Sequence, residues 1–129
     1  MWDSKYINDL ESRRAKAREG GGEARITAQK RKGKLTVWER INYLFDEDSF
    51  QEVGSLVESR FSDFGMDKKK LPGDGVITGF GTINGVPVYV AAEAFTVMGG
   101  TYGEYHSRKI VRIMDMAFQS KDPFITIND

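Results

Sequence analysis

The stretch with most chemical capacity is Gly99-Gly100-Thr101-Tyr102-Gly103, a glycine-rich loop just ahead of a helical pattern. Free backbone N–H groups at a helix N-terminus, with the positive end of the helix dipole behind them, can hold a phosphate or another anion. The loop is not G-x-G-x-x-G and carries no Walker lysine, so neither nucleotide fingerprint applies. Its alternative is a tight turn with close packing. His106 lies in the first turn of the helix, where it can bind a ligand or exchange a proton, or be a surface or capping residue. Arg108, Lys109 and Arg112 form a basic helix face that can meet phosphates or simply face solvent. Glu93, Glu104 and Asp115 have no evident paired carboxylate, so a two-carboxylate mechanism lacks support. Ser107 has no G-x-S-x-G context.

Composition removes other chemistries. With no cysteine among 129 residues, thiol catalysis, disulfides and thiolate metal sites are excluded. His106 is the only histidine, which argues against a His-built zinc site, so no metal is expected. The 19 basic and 19 acidic side chains balance, so no global basic field recruits nucleic acid. No apolar run approaches the roughly 18–20 residues that cross a bilayer, and Met1 to Leu10 does not read as a signal peptide. The expected location is cytoplasmic, without direct membrane insertion.

The balance hides a split. Residues 1–40 carry +5, residues 41–67 carry −6 and residues 68–129 carry +1. Residues 1–34 read as a basic helical arm: an exposed helix over 4–19 stopped by Gly20-Gly21-Gly22, then a second polar helical stretch over 23–32. Such an arm can dock on an acidic surface of its own protein or of a neighbour. It lacks the interleaved aromatics of a nucleic-acid reader. Thr36-Val37-Trp38-Glu39 is a capping box, and Val37, Ile41, Leu44 and Phe45 give the helix behind it one apolar face. Residues 50–57 fit strand or helix, and Lys68-Lys69-Lys70 reads as a solvated loop.

The second half is more regular. Val76 to Ile83 and Val86 to Ala92 are strands joined by Asn84-Gly85, a strong two-residue hairpin signal. Pro87 must sit where its missing N–H faces no partner, and Gly79 and Gly81 indicate a bulge or close backbone approach. Ile110, Val111, Met114, Ala117 and Phe118 mark a helix near 104–119, and Phe124 to Ile127 is a final strand. Hairpin, helix, strand predicts an α/β fold whose last strand joins in parallel by a right-handed crossover. From the residues alone, this is an incomplete α/β domain with an anion loop.

Several segments together carry a resemblance: Gly20-Gly21-Gly22-Glu23, Lys32-Gly33-Lys34-Leu35-Thr36, Asp63-Phe64-Gly65-Met66, Pro72 to Gly81, Phe95 to Gly100, Gly103-Glu104-x-His106, and Lys109-Ile110-x-x-Ile113-Met114-Asp115. In order and spacing they resemble the carboxyltransferase subunits of biotin-dependent acyl-CoA carboxylases and decarboxylases. The propionyl-CoA carboxylase beta and methylmalonyl-CoA decarboxylase alpha branches fit best. The resemblance implies an incomplete crotonase-like ββα fold preceded by N-terminal helices. Residues 35–129 would be the first part of the acyl-CoA-holding N-terminal domain. It implies carboxyl transfer between carboxybiotin and the α-carbon of a short acyl-CoA. Biotin would be carried on a separate domain or subunit. Implied partners are biotin carboxyl carrier and biotin carboxylase subunits, or membrane decarboxylase subunits, around a homo-oligomer. Gly99, Gly100, Thr101, His106 and Lys109 are the implied acyl-CoA-binding residues. The oxyanion glycines would follow Asp129, leaving no catalytic residue here and an inactive fragment. The family commonly has Asp where this chain has Ala94, a loss that would loosen the glycine loop. The alternative function is a non-catalytic binding or assembly module.

Overall fold

The computed structural model describes residues 3–129. Helix α1 spans Ser4–Arg18, and Asp3 caps it by accepting from the Lys5 N–H at 3.0 Å. No α1 residue is buried, as expected for a helix with so thin an apolar stripe. Left-handed φ angles at Gly20, Gly21 and Gly22 then turn the chain into α2, Glu23–Arg31. A side chain at Gly21 would put its Cβ 2.0 Å from the Thr96 carbonyl oxygen, so the turn seats the arm directly on the loop after the hairpin. Besides the Asp9–Arg13 pair within α1, the arm's ion pairs run to Glu39 (Lys30, 2.7 Å) and Asp129 (Lys34, 2.5 Å), not to the acidic stretch 41–67, among the described residues.

Helix α3, Val37–Leu44, begins at the expected capping box: Thr36 Oγ1 accepts from the Glu39 N–H and Glu39 accepts from the Thr36 N–H. Its apolar face buries Val37 and Ile41, with Phe45 just beyond. The undecided stretch after it resolves into only a two-residue strand β1, Gln51–Glu52. β1 pairs with β2, Val76–Ile83, by placing the Gln51 carbonyl where a Gly79 Cβ would be, 2.3 Å away. A Cβ at Gly81 would lie 2.8 Å from the Phe45 ring. Both glycines therefore mark the close approach that their spacing predicts.

Strand β2 pairs antiparallel with β3, Val86–Glu93, through the Asn84-Gly85 turn, where both residues have the positive φ of a primed hairpin turn. Asp46 clamps that turn by accepting from the Asn84 and Gly85 N–H groups, both at 2.9 Å, and from the Thr82 hydroxyl at 2.6 Å. Opposite Pro87, Thr82 points its own N–H and C=O away, to Ser49 and Asp46, so the missing proline donor costs β2 nothing. Helix α4, Glu104–Ser120, crosses over to β4, Phe124–Ile127, which joins β3 in parallel. The sheet order is β1-β2-β3-β4.

Alternation along the strands sorts the core into two clusters. Ile77, Val88, Val90 and Ala92 face α3, and Val76, Ala91 and Ile113 form the cluster under α4. The buried stripe of α4 is His106, Lys109, Ile113 and Ala117. This corrects the apolar marking of that helix: Val111, Met114 and Phe118 lie on its outer face, Phe118 being 85% exposed. No described helix is long and apolar enough to cross a membrane.

Candidate functional site: the glycine loop and its frame

The site is built where β3 ends. Ala94 donates its N–H to the Gly75 carbonyl (2.9 Å), and its methyl is buried in the core cluster. Val97 and Gly100 then close successive turns, to the Ala94 and Val97 carbonyls. Met98, Gly99 and Gly100 all have positive φ, which explains two glycines in a row. The Thr101 hydroxyl donates to the Met98 carbonyl at 2.5 Å. The Tyr102 hydroxyl donates to the buried Glu93 carboxylate, which together with burial pushes the phenol above its usual range.

The start of α4 is already occupied by an anion. Gly103, the N-cap, has no side chain to satisfy the orphan N–H groups, and Asp74 supplies one from the turn before β2: its carboxylate accepts from the His106 N–H at 2.9 Å. Asp74 thus takes one of the N–H groups that the sequence leaves open at that helix start. His106 itself is completely buried, its ring packed against that of Tyr102 with centroids 4.4 Å apart and planes tilted by 52°, and is not a surface residue. Its Nδ1 lies 2.8 Å from the Asp74 carbonyl. A carbonyl only accepts, so Nδ1 is the donor in this contact, and the buried Nε2 has no partner among the described residues.

Lys109 departs furthest from its expected place. It is 5% exposed rather than part of a solvated basic face. Its ammonium donates to the Gly73 carbonyl at 2.7 Å and to the Val76 carbonyl. Burial lowers its pKa to about 8, against the pull of Glu52 and Asp74. Lys109 and His106 together fasten the Pro72–Gly75 turn to α4.

Two clefts flank the loop. One of about 790 Å³ is lined by Thr101, Tyr102 and Val97 on the loop side and by Phe61, Lys69 and Lys70 opposite. A smaller groove of about 280 Å³ lies between α2 and the loop, with Arg25, Gln29 and Lys32 facing Phe95, Thr96 and Gly99. Thr101 therefore opens on the first and Gly99 on the second. His106 and Lys109 line neither of these clefts; they lie in the frame beneath.

Sequence reasoning missed a polar cluster at the carboxyl ends of β3 and β4. Asp129 accepts from Gln29 (2.7 Å), Lys34 (2.5 Å) and Arg40 (3.2 Å), and Lys34 first among them holds its carboxyl below the usual range. Its N–H faces Glu93 at 3.5 Å. The only signal was a carboxylate closing each of two adjacent strands.

Residues 28–129 match the carboxyl transferase domain. The chain belongs to that family. It is similar to the propionyl-CoA carboxylase beta chain of Roseobacter denitrificans, with 54% identity over 95% of this chain and 24% of that protein. It is 47% identical to the methylmalonyl-CoA decarboxylase subunit alpha of Veillonella parvula, again over 95% and 24%. Among solved structures, a crystal structure of transcarboxylase 12S superposes with a TM-score of 0.94 and 43% identity, over all of this chain and 25% of that one. Its description names hexamer assembly and bound methylmalonyl-coenzyme A. This carboxyl transferase chain is thus a part of a crotonase-like fold and spans about a quarter of the length of these relatives.

Proposed function

We propose that this chain provides the acyl-CoA side of a carboxyltransferase subunit, which moves a carboxyl group between carboxybiotin and the α-carbon of a short acyl-CoA, propionyl- or methylmalonyl-CoA. One observation carries the proposal: in a carboxyl transferase domain, the Gly99–Gly103 loop borders a groove that carries Arg25 and Lys32 and, among the described residues, no carboxylate, beside a larger cleft where Arg60, Lys69 and Lys70 face Asp63, Asp74 and Glu104. Coenzyme A is a long polyanion with an apolar arm. Its phosphates suit the lysine and arginine side chains, now that Asp74 holds the helix start. Gly99, Gly100 and Thr101 border the substrate. His106 and Lys109 act from beneath, by fixing the turn that the loop rests on.

In this reading residues 1–34 are an arm and residues 35–129 the first part of the acyl-CoA domain. Carboxybiotin is a substrate delivered by a carrier on another domain or subunit, and no residue here is assigned to it. Biotin carboxylase and carrier subunits, or membrane decarboxylase subunits, are the partners, and the cytoplasm is the location. The test uses the full-length subunit that bears this sequence, with Gly100→Val and Lys32→Ala. Both should raise KM for acyl-CoA and leave KM for the biotin substrate unchanged. An unchanged KM for acyl-CoA in both variants removes the loop from the site.

A further inference from the structure

Glu93 is the least expected carboxylate in the molecule. It closes β3 on the side of the sheet that α4 covers, and it is only 9% exposed. A buried carboxylate is costly unless its oxygens are occupied. One oxygen, Oε1, accepts from the Tyr102 hydroxyl. The other, Oε2, faces the Asp129 N–H at 3.5 Å and lies 3.9 Å from where a Gly100 Cβ would be. One carboxylate therefore touches the far end of the glycine loop, its middle, and the backbone that leaves β4.

Tyr102 shows what this does. Tyr102 is 59% exposed; its ring packs on one side against His106, and its hydroxyl turns inward to Glu93. Apart from Thr101 bonding to Met98 within the loop, the Tyr102 hydroxyl is the side-chain bond that ties residues 98–103 to the sheet, among the described residues. A charge-assisted hydrogen bond of this kind is about twice as strong as a neutral one. Ala94, next in sequence, offers no polar atom for the task.

We infer that Glu93 is a positioning residue for the acyl-CoA site: through Tyr102 it clamps the Gly99–Gly103 loop against the carboxyl ends of β3 and β4. The inference rests on the reading of that loop as the border of the acyl-CoA site. Glu93 touches no substrate, and its effect passes entirely through the loop.

The test compares Tyr102→Phe, Glu93→Gln and the double variant in the full-length subunit bearing this sequence. Losing a hydrogen bond to a charged group corresponds to roughly a tenfold change. Tyr102→Phe should therefore raise KM for acyl-CoA about tenfold, with kcat and the KM for the biotin substrate within about twofold of wild type. Glu93→Gln keeps an acceptor for the phenol and should show a smaller rise. The double variant should be no worse than Tyr102→Phe, because both changes act on one bond, which Tyr102→Phe already removes. A merely structural role would lower kcat and melting temperature without splitting the two KM values. Amide hydrogen exchange over 98–103 gives an independent readout and should quicken in Tyr102→Phe. Unchanged exchange, or additive effects in the double variant, overturns the clamp. If the wild-type subunit turns over no acyl-CoA while exchange responds as stated, the clamp stands and the functional reading fails instead.

Discussion

Nζ of Lys109 lies 2.7 Å from the carbonyl oxygen of Gly73, inside the protein, and holds the turn before β2 against α4. Burial is the larger influence on this ammonium and drops its pKa from the ordinary 10.5 to about 8. The folded protein therefore releases the proton earlier than the unfolded chain. Between those two pH values the unfolded state binds more protons, so this group's contribution to stability rises with pH. Measured by urea titration, wild type should gain on Lys109→Met by about 3 kcal/mol from pH 8 to 10.5. A difference that is flat or falls over that window means the ammonium is not desolvated.

The seat of the arm is equally specific. Gly21 has a φ of 89° and no room for a Cβ against the Thr96 carbonyl, whereas Gly22, with a φ of 96°, has nothing within 4 Å of its Cβ position. Gly21→Ala should cost clearly more than the roughly 1 kcal/mol expected of backbone strain alone, and Gly22→Ala about that strain only. Gly21→Ala should also speed tryptic cleavage at Arg18 and Arg25, as α2 lifts off the loop. Equal melting temperatures for the two variants would remove the close contact as the reason for that glycine.

The hairpin, its Asn84-Gly85 turn, the Thr36 capping box and β4 were legible because each is fixed by local rules: period, turn chemistry and reciprocal capping. The burial of Lys109 and His106 was not. On a helix of mixed composition, the face turned inward is set by what the sheet and the Pro72–Gly75 turn offer. Carbonyls at Gly73 and Val76, turned toward α4, accept from an ammonium that periodicity assigns to water. The same override turned Val111, Met114 and Phe118 outward. At the site, the glycine loop was legible as a loop. The carboxylate of Asp74 at the helix start was not, since it arrives from residues more than thirty positions earlier.

Asp46 gives a prediction of the opposite sign. The Thr82 hydroxyl, then the Gly85 and Asn84 N–H groups, hold its carboxyl below the usual range. A depressed folded pKa means stability that is present at neutral pH and lost as pH falls through that lowered value. Asp46→Asn should lower the urea midpoint at pH 7 and flatten the acid limb of the stability profile relative to wild type. A variant whose acid limb still parallels wild type would assign the acid sensitivity to other carboxylates.

β4 supplies the last expectation. It lies at the end of the sheet order, paired with β3 alone, and its Phe124, Ile125 and Ile127 are only half-buried. An apolar strand with one open edge recruits another chain. The 129-residue chain by itself should therefore associate as its concentration rises in light scattering. Thr126→Lys places a charge on an exposed edge position and should reduce that association. The same chain, about a quarter of the length of its relatives, should show no transfer from carboxybiotin to propionyl-CoA, since a single missing oxyanion donor already costs about 10²–10³ in rate. A monomer at every concentration, or association indifferent to Thr126→Lys, sinks the edge argument. Turnover near that of a full-length subunit would place the reacting centre within these 129 residues.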